Sequence, residues 1–204
     1  MRMRKKKHTD ERIQACAEYI RWNDMFSGGV PLHLEIGCGK GDFICAMARQ
    51  FPDINFIAVE KVTDVVVTAL EKAKSLNLPN LRFVIADIKE FANYIEVDTV
   101  SAIYLNFSDP WPKRYQHKKR LTAQSFIDIY KKILKLKAKI ILKTDDKELF
   151  NFSVKNLSAN KFTIEYKTYD LHNSEFSDSN VQTEYERNFA EQNIPVCYLS
   201  AVLN

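Results

Sequence analysis

The 204-residue chain, with 46% hydrophobic, 27% charged and 12% aromatic residues, has the length and composition of one globular domain, which excludes a disordered or collagen-like polypeptide. The formal net charge of +4 is concentrated, because ten of the 30 cations lie in residues 1–7 and 113–120, where there is no acid. The longest apolar run, residues 43–48, is far shorter than the roughly 20 residues of a membrane-spanning helix. Since no apolar run follows the basic start either, we expect a cytoplasmic protein with no membrane partner.

Cysteine and histidine spacing gives no sign of a metal site. The four cysteines contain no C-x-x-C pair, and the four histidines have no partner at ligand spacing. We therefore predict no metal and reduced, mostly buried thiols, as is usual in the cytoplasm.

The chain is predicted to begin with a basic arm, residues 1–8, followed by a single domain, residues 9–204. The first element of the domain is an amphipathic helix over residues 9–26, with Thr9 or Asp10 as its N-cap, packed across the main sheet. Apolar strands are then predicted at residues 32–36, 54–59, 81–86, 99–105, 139–143, 162–168 and 196–202.

Helical stretches separate these strands. Helices are predicted to begin at Asp42, Thr63 and about Asp146, with a short one after the third strand and another over residues 122–136. Strands that alternate with helices imply crossover connections, so we predict an α/β fold with a doubly wound, mostly parallel sheet. Polar residues 170–193 join the last two strands and are predicted to form a long functional loop.

A glycine-rich turn at residues 34–41 joins the first strand to the first helix, where a doubly wound sheet binds its nucleotide. Its glycines, Gly37, Gly39 and Gly41, have G-x-G-x-G spacing rather than the dinucleotide-binding G-x-G-x-x-G. Glu35 precedes them by two residues, and an anion at this place suits a cationic ligand better than a phosphate. A purely structural turn remains an alternative.

Two further acids end the next two strands. Glu60 is in position to accept hydrogen bonds from both hydroxyls of a ribose. Asp87 is in position to accept one from an adenine amino group, although it is also a candidate N-cap for the following helix. With the glycine turn, these acids describe an adenosine pocket that resembles the S-adenosylmethionine site of the class I methyltransferase fold.

The fourth predicted strand runs into N-F-S-D-P-W-P-K, residues 106–113, and then into a basic stretch that ends at Arg120. The prolines on both sides of Trp111 make a rigid, extended turn and place Asp109 at the mouth of the strand, beside the methyl donor. A packing role for Trp111 is the alternative.

N-F-S-D-P-W-P-K with its basic stretch, E-I-G-C-G-K-G upstream, and K-T-D and T-E-Y-E downstream, resembles the bacterial tRNA (guanine-N7)-methyltransferases over nearly the whole chain. The resemblance implies a Rossmann-like class I methyltransferase fold with an antiparallel C-terminal strand, and methylation of a guanosine in the tRNA variable loop by S-adenosylmethionine. The donor-binding positions that it implies are Glu35, Glu60, Asp87 and Asp109, the last also taken as catalytic. The substrate-binding positions are Lys113, Asp145, Thr183, Glu184, Tyr185 and Glu186. The RNA-contacting segment is Tyr115, Gln116, His117, Lys118, Lys119 and Arg120. His117 is displaced by one residue from the family's K-K-R-H pattern, so its role does not transfer.

Methylation at N7 needs little catalytic machinery. The nitrogen carries an in-plane lone pair and no proton, so attack on a sulfonium methyl requires positioning and nearby anions but no general base. Asp109, Asp145 and Glu186 fit that need. The structural alternatives are an N-cap at Asp145 and a T-x-x-E capping box from Thr183 to Glu186.

Three other functions remain open at this point. A methyltransferase for an exocyclic amine is one, since residues 108–111 loosely match a D-P-P-Y signature. A non-catalytic RNA-binding module is another. A nicotinamide-dependent reductase is the third, and the glycine spacing disfavours it. The sequence is compatible with a monomer or a homodimer.

Overall fold

The computed structural model describes residues 8–20, 26, 29–178 and 180–204 of the chain. Most of the predicted basic arm therefore lies outside the described residues. The strands are β1 (Leu32–Ile36), β2 (Asn55–Glu60), β3 (Leu81–Ile85), β4 (Val100–Asn106), β5 (Leu134–Thr144), β6 (Phe162–Thr168) and β7 (Cys197–Leu203). The α-helices are α1 (Thr9–Gln14), α2 (Asp42–Gln50), α3 (Thr63–Leu76), α4 (Ile88–Phe91), α5 (Gln124–Ile133), α6 (Lys147–Ala159) and α7 (Glu184–Glu191). Short 3-10 helices lie at Ala17–Tyr19, Ala92–Tyr94 and Arg114–Lys119.

All seven strands form one sheet in the order β3-β2-β1-β4-β5-β7-β6. The first five pair in parallel, and β7 runs antiparallel to both β5 and β6. This confirms the doubly wound, mostly parallel sheet and the antiparallel C-terminal strand. The strand order reverses between β1 and β4, the position at which such sheets bind ligands beyond the carboxyl ends of the strands.

Helices cover both faces of the sheet and bury two separate apolar cores. One core packs α4, α5 and α6 against alternate strand residues such as Leu34 and Ile103. The other packs α2, α3 and the 3-10 helix Ala17–Tyr19 against Phe56, Ala58 and Ala102. Because successive strand residues point to opposite faces, Glu35, Asn106 and Lys143 all lie on the α2 and α3 side. No helix among the described residues is both long and apolar enough to cross a bilayer.

The first predicted helix is shorter than expected. It ends at Gln14, and residues 21–25 of the predicted span lie outside the described residues. Its N-cap is His8 rather than Thr9 or Asp10, since the Thr9 hydroxyl donates to Asp64 on α3 at 2.9 Å. The helix packs on α3, with two 2.7 Å bonds from Arg12 to Glu71, whereas the 3-10 helix that follows it within the predicted span packs on the sheet.

Two further boundaries differ, the first because a long-range contact overrides local preference. The helix predicted over residues 122–136 ends at Ile133, and β5 begins at Leu134, five residues before the predicted strand. Leu134 is fully buried and pairs with Val100 across the sheet. The polar segment predicted as a loop contains α7, whose first turn the T-x-x-E motif caps.

Candidate active site

A cavity of about 320 Å³ lies beyond the carboxyl ends of β1 and β4, at the reversal of strand order. Its wall combines the glycine turn and α2 with residues of α3, the end of β4 and the start of α7. Lining residues are Glu35, Gly37, Gly39, Gly41, Phe43, Asn106, Phe107, Thr183 and Tyr185, among others. The cavity thus joins predicted donor-binding and substrate-binding residues from opposite ends of the chain.

The three glycines are required for two different reasons. Gly37 and Gly39 have φ of 81° and 56°, which favours glycine, and a Cβ at either position meets no atom within 4 Å. Gly41 also has a positive φ, but its Cβ would lie 2.6 Å from the Cβ of Ala69 on α3. Gly41 therefore permits close packing of α2 on α3, whereas Gly37 and Gly39 leave backbone open to a ligand.

Glu35 is a buried carboxylate with a free acceptor. It is 2% exposed, and its Oε1 accepts a 2.9 Å hydrogen bond from the Asn106 carboxamide. Glu35 Oε2 and Asn106 Oδ1 are both buried without a hydrogen-bond partner among the described residues. Burial raises the pKa of Glu35 to about 8, against the opposing effects of Asn106 and Lys143. Two unsatisfied acceptors in a cavity wall fit a ligand that brings N–H donors or positive charge.

Lys143 pairs with Asn106 across the sheet and was not singled out as a functional residue from the sequence, although it opens the K-T-D motif. Its ammonium group is 3% exposed and lies 3.0 Å from Glu186 and 2.8 Å from the carbonyl of Val181. It also donates to the Asn180 side chain and lies 5.2 Å from the centre of the Phe43 ring. Burial lowers the pKa of Lys143, and Glu186 opposes that shift. Lys143 thereby fixes the segment before α7 to the end of β5.

The capping-box alternative for Thr183 and Glu186 is present in the structure. The Thr183 hydroxyl accepts from the Glu186 amide at 3.0 Å, and the Glu186 carboxylate accepts from the Thr183 amide at 3.3 Å. Glu186 is fully buried, and the side chain of Asn180 also donates to it. We therefore correct the prediction that Glu186 touches the target base, because its carboxylate is enclosed by the protein. Thr183 and Tyr185 do line the cavity.

Glu60, Asp87 and Asp109 do not line this cavity but lie at its rim or beyond it. Glu60 accepts from the amide of Gly39 at 3.2 Å and from that of Val62 at 2.9 Å, so it fixes the glycine turn. Asp87 is exposed and caps α4 by accepting from the Lys89 amide at 2.9 Å, which is the structural alternative considered for it.

Of the residues in the loop after β4 that were predicted to bind the donor, the substrate or RNA, some are exposed and others are buried. Asp109 and Lys113 are exposed, as are Tyr115, Lys118 and Lys119 of the RNA-contacting segment, whereas Gln116 and His117 are half-buried. Arg120 is 1% exposed, and its guanidinium donates to the carbonyl of Pro110 at 2.7 Å and to Glu148 at 2.8 Å. We therefore correct the RNA-contact prediction for Arg120, which anchors the loop from within.

Asp145 is exposed and free of the capping role considered for it. The N-cap of α6 is Asp146, which accepts from the Leu149 amide at 2.6 Å. Asp145 makes no hydrogen bond or ion pair in the described part of the chain. Its carboxylate is thus available at the end of β5.

An aromatic surface at the mouth of the cavity was not predicted. Tyr185 is 62% exposed and stacks on Phe107, with ring centres 6.0 Å apart and planes at 28°. Phe107 has φ of 47°, an uncommon value for a residue other than glycine, and also contacts Phe189. The phenylalanine of N-F-S-D and the tyrosine of T-E-Y-E were the available signals, but nothing local indicated that they meet.

Comparison with known proteins agrees with this architecture. Residues 30–199 match a family described as "Putative methyltransferase". The chain is 41% identical to a tRNA (guanine-N(7)-)-methyltransferase of Geobacillus sp. (strain WCH70), over 93% of this chain and 90% of the relative. It is 39% identical to that of Clostridioides difficile (strain 630), over 96% of both. In fold it is similar to the crystal structure of the 16S rRNA methyltransferase KamB, with a TM-score of 0.62 at 13% identity, covering 98% of this chain and 95% of that one.

Identity near 40% over almost the full length of both chains exceeds what a shared fold alone provides, since the structural relative above reaches only 13%. The sequence motifs that carried the initial resemblance lie at the glycine turn, the loop after β4, the end of β5 and the start of α7. All of these segments except the end of β5 contribute residues to the cavity wall. The chain belongs to the S-adenosylmethionine-dependent tRNA (guanine-N(7)-)-methyltransferase family.

Proposed function

We propose that this chain transfers a methyl group from S-adenosylmethionine to N7 of a guanosine in the variable loop of tRNA. The observation that carries the proposal is the cavity in which the unsatisfied acceptors of Glu35 and Asn106 meet Thr183 and Tyr185. The residues that we propose to bind the donor and the acceptor converge there. Family membership supports the choice of acceptor.

On the donor side, Glu35 and Asn106 offer acceptors to N–H groups and negative charge to a cation. Gly37 and Gly39 allow close approach of backbone, and Glu60 and Asp87 are proposed to hold ribose and adenine. When bound, S-adenosylmethionine supplies an electrophilic methyl group on a positively charged sulfur. The residues themselves bind and orient, and none has to move a proton in the transfer step.

On the acceptor side, the exposed face of Tyr185 is proposed to stack on the target base, supported from below by Phe107. Base stacking on an aromatic side chain contributes about 1 to 3 kcal/mol. The guanine gains positive charge as the methyl group arrives, and the exposed carboxylates of Asp109 and Asp145 are proposed to stabilise it. Lys113, Tyr115, Lys118 and Lys119 are proposed to hold the RNA backbone, which fixes the position of the base without reading it.

The test is methylation of tRNA by the purified full chain, followed by nuclease digestion and mass spectrometry of the nucleosides. We expect 7-methylguanosine from a tRNA with a variable-loop guanosine and none when that guanosine is replaced by adenosine. N2-methylguanosine or methyladenosine would instead indicate an exocyclic-amine methyltransferase. Donor and tRNA binding without any methylated nucleoside would indicate an RNA-binding module.

A further inference from the structure

A second cavity, of about 520 Å³, lies between α2 and α3 and opens beside α7. It is separate from the donor cavity but adjoins it, since Asp42 at the start of α2 lines both. Its polar lining comes mainly from Asp42 and Arg49 on α2, Lys72 on α3 and Arg187 on α7. We call these four residues the α2–α3 cleft.

The cleft carries net positive charge, with three cations and one acid. The acid is already neutralised, because Asp42 Oδ1 lies 2.7 Å from Lys72 and 3.5 Å from Arg187. Arg49 is exposed and has no hydrogen bond or ion pair among the described residues. Arg187 is half-exposed and makes only long contacts, to Asp42 and to the carbonyl of Gln182 at 3.4 Å. Two guanidinium groups are therefore available to an anion.

The cleft lies on the opposite side of the sheet from the exposed lysines of the RNA-contacting segment. Arg120 and His117 of that segment contact Phe152 on α6, which packs on the α4, α5 and α6 face. Helices α2 and α3 cover the other face. The two cationic surfaces, one at Lys118 and Lys119 and one at the α2–α3 cleft, thus lie on opposite sides of the sheet, and the cleft adjoins the donor cavity through Asp42.

We propose that the α2–α3 cleft binds phosphate groups of the RNA strand on the far side of the target nucleotide. The inference rests on the proposed function and adds a second backbone contact to it. Guanidinium groups hold phosphate oxygens in pairs; the Arg49 side chain is free to do so, and Arg187 is proposed to exchange its 3.5 Å contact with Asp42 for a phosphate. The nine residues of α2 extend the cleft by about 12 Å away from the donor cavity, which suits a strand better than an isolated anion.

A strand held at both sides of the mouth has only its central nucleotide free to turn toward the donor. Phosphate contacts carry no base preference but fix register and orientation. The cleft therefore has a positioning role that one cationic surface alone does not provide.

The test compares Arg49→Glu with Lys135→Glu, an equal charge change at an exposed residue of β5, which does not line the α2–α3 cleft. We expect Arg49→Glu to raise the Kd for tRNA about tenfold, the effect of losing one charge-assisted hydrogen bond. The slope of log K against log salt should fall by about 0.7 to 0.9, and donor affinity should stay unchanged. Arg49→Lys should retain most of the affinity, and Lys135→Glu should have little effect.

The double variant Arg49→Glu, Arg187→Gln should lower the salt slope further. Unchanged tRNA affinity in Arg49→Glu and in this double variant would overturn the proposal. An equal loss of tRNA affinity in Lys135→Glu would also overturn it, because the loss would then come from the net charge of the protein and not from a site. If the proposed function is wrong, the wild-type chain produces no 7-methylguanosine, and this result is distinct from any change in tRNA affinity. Melting curves of each variant establish that the fold is retained.

Discussion

Glu35 shows how one residue couples ligand binding to pH. Burial holds its pKa near 8, so the free protein binds a proton at this carboxyl at neutral pH. The native state binds that proton more tightly than the unfolded chain does. Without donor, this group therefore lowers stability as the pH rises from about 4.5 through about 8. A bound cationic ligand favours the ionised carboxylate and therefore lowers the pKa of Glu35.

Donor affinity should accordingly weaken as the pH falls below about 8, by up to about tenfold per unit, because the proton on Glu35 must leave. Calorimetric titration in two buffers with different heats of ionisation should reveal proton release at pH 7 and little above pH 9. Glu35→Gln should bind more weakly and without this pH dependence. A wild-type affinity that is constant between pH 6 and 9 would contradict the assignment.

Lys143 and Glu186 form a buried ion pair, so removal of either partner leaves an uncompensated charge. We expect Lys143→Met to lower the free energy of unfolding by about 3 to 5 kcal/mol. The double variant Lys143→Met, Glu186→Leu should lose less than the sum of the single variants, because it leaves no buried charge unpaired. Urea unfolding of all four proteins gives the coupling energy. Additive losses would mean that the pair is not a coupled unit.

Asp145 and Asp146 are adjacent acids with different environments, and they make a matched pair for testing catalysis. Asp145→Asn should reduce the single-turnover methylation rate by about 10² to 10³ at saturating tRNA, with nearly unchanged tRNA affinity, because only a charge near the reacting base is lost. Asp146→Asn should retain the rate, since asparagine is an equally good N-cap for α6. Equal rates in the two variants would exclude a catalytic role for Asp145.

At the scale of elements, the exposed lysines of the 3-10 helix Arg114–Lys119 are proposed to contact RNA, whereas the buried Arg120 that follows the helix holds the loop after β4. Lys118→Gln with Lys119→Gln should lower the salt slope of tRNA binding by about 1.4 to 1.8 and leave stability unchanged. Arg120→Ala should instead destabilise the protein by about 1 to 3 kcal/mol, because the carbonyl of Pro110 loses its buried donor. Salt titration and thermal melting separate the two effects. An unaltered slope in the lysine variant would remove these lysines from the RNA-binding surface.

The sequence predicted most strands because an apolar run between turn residues is a local signal. Residues 162–168 and 32–36 were predicted with their observed bounds. The sequence did not predict the first five residues of β5 as strand. Charged and apolar residues alternate there, and only the pairing of Leu134 with Val100 makes a strand. The end of α1 was missed for a similar reason, since the tertiary contacts of Thr9 and Arg12 determine its geometry.

Some residues of the candidate site were likewise predictable from the sequence, and others were not. Motif residues such as Glu35, Thr183 and Tyr185 were found because each stands in a recognisable local pattern, and the cavity brings them together. Charge alone did not distinguish Arg120, which is buried, from Lys118 and Lys119, which are exposed. The buried position of Lys143 depends on partners 37 to 43 residues away, so no local signal reports it.

At the scale of the whole molecule, a donor that binds only the folded chain should raise its melting temperature. At a donor concentration of one hundred times Kd, the gain is about 2.7 kcal/mol. For a chain of this size that corresponds to a shift of about 5 to 11 °C. Glu60→Ala should need more donor for the same shift, whereas Lys135→Ala should match the wild type. No shift with the wild-type chain at saturating donor would argue against the donor cavity.

The position of β7 between β5 and β6 has a consequence for synthesis on the ribosome. Among the described strands, β6 pairs only with β7, which follows it in the chain. At about 5 to 20 residues per second, translation leaves β6 without a partner for roughly 2 to 7 s. The nascent polypeptide meanwhile exposes two strand edges, of β5 and of β6, that are templates for aggregation. The β5 edge that β7 covers consists of residues 139–144, and the exposed Lys139 at its start discourages such pairing until β7 emerges.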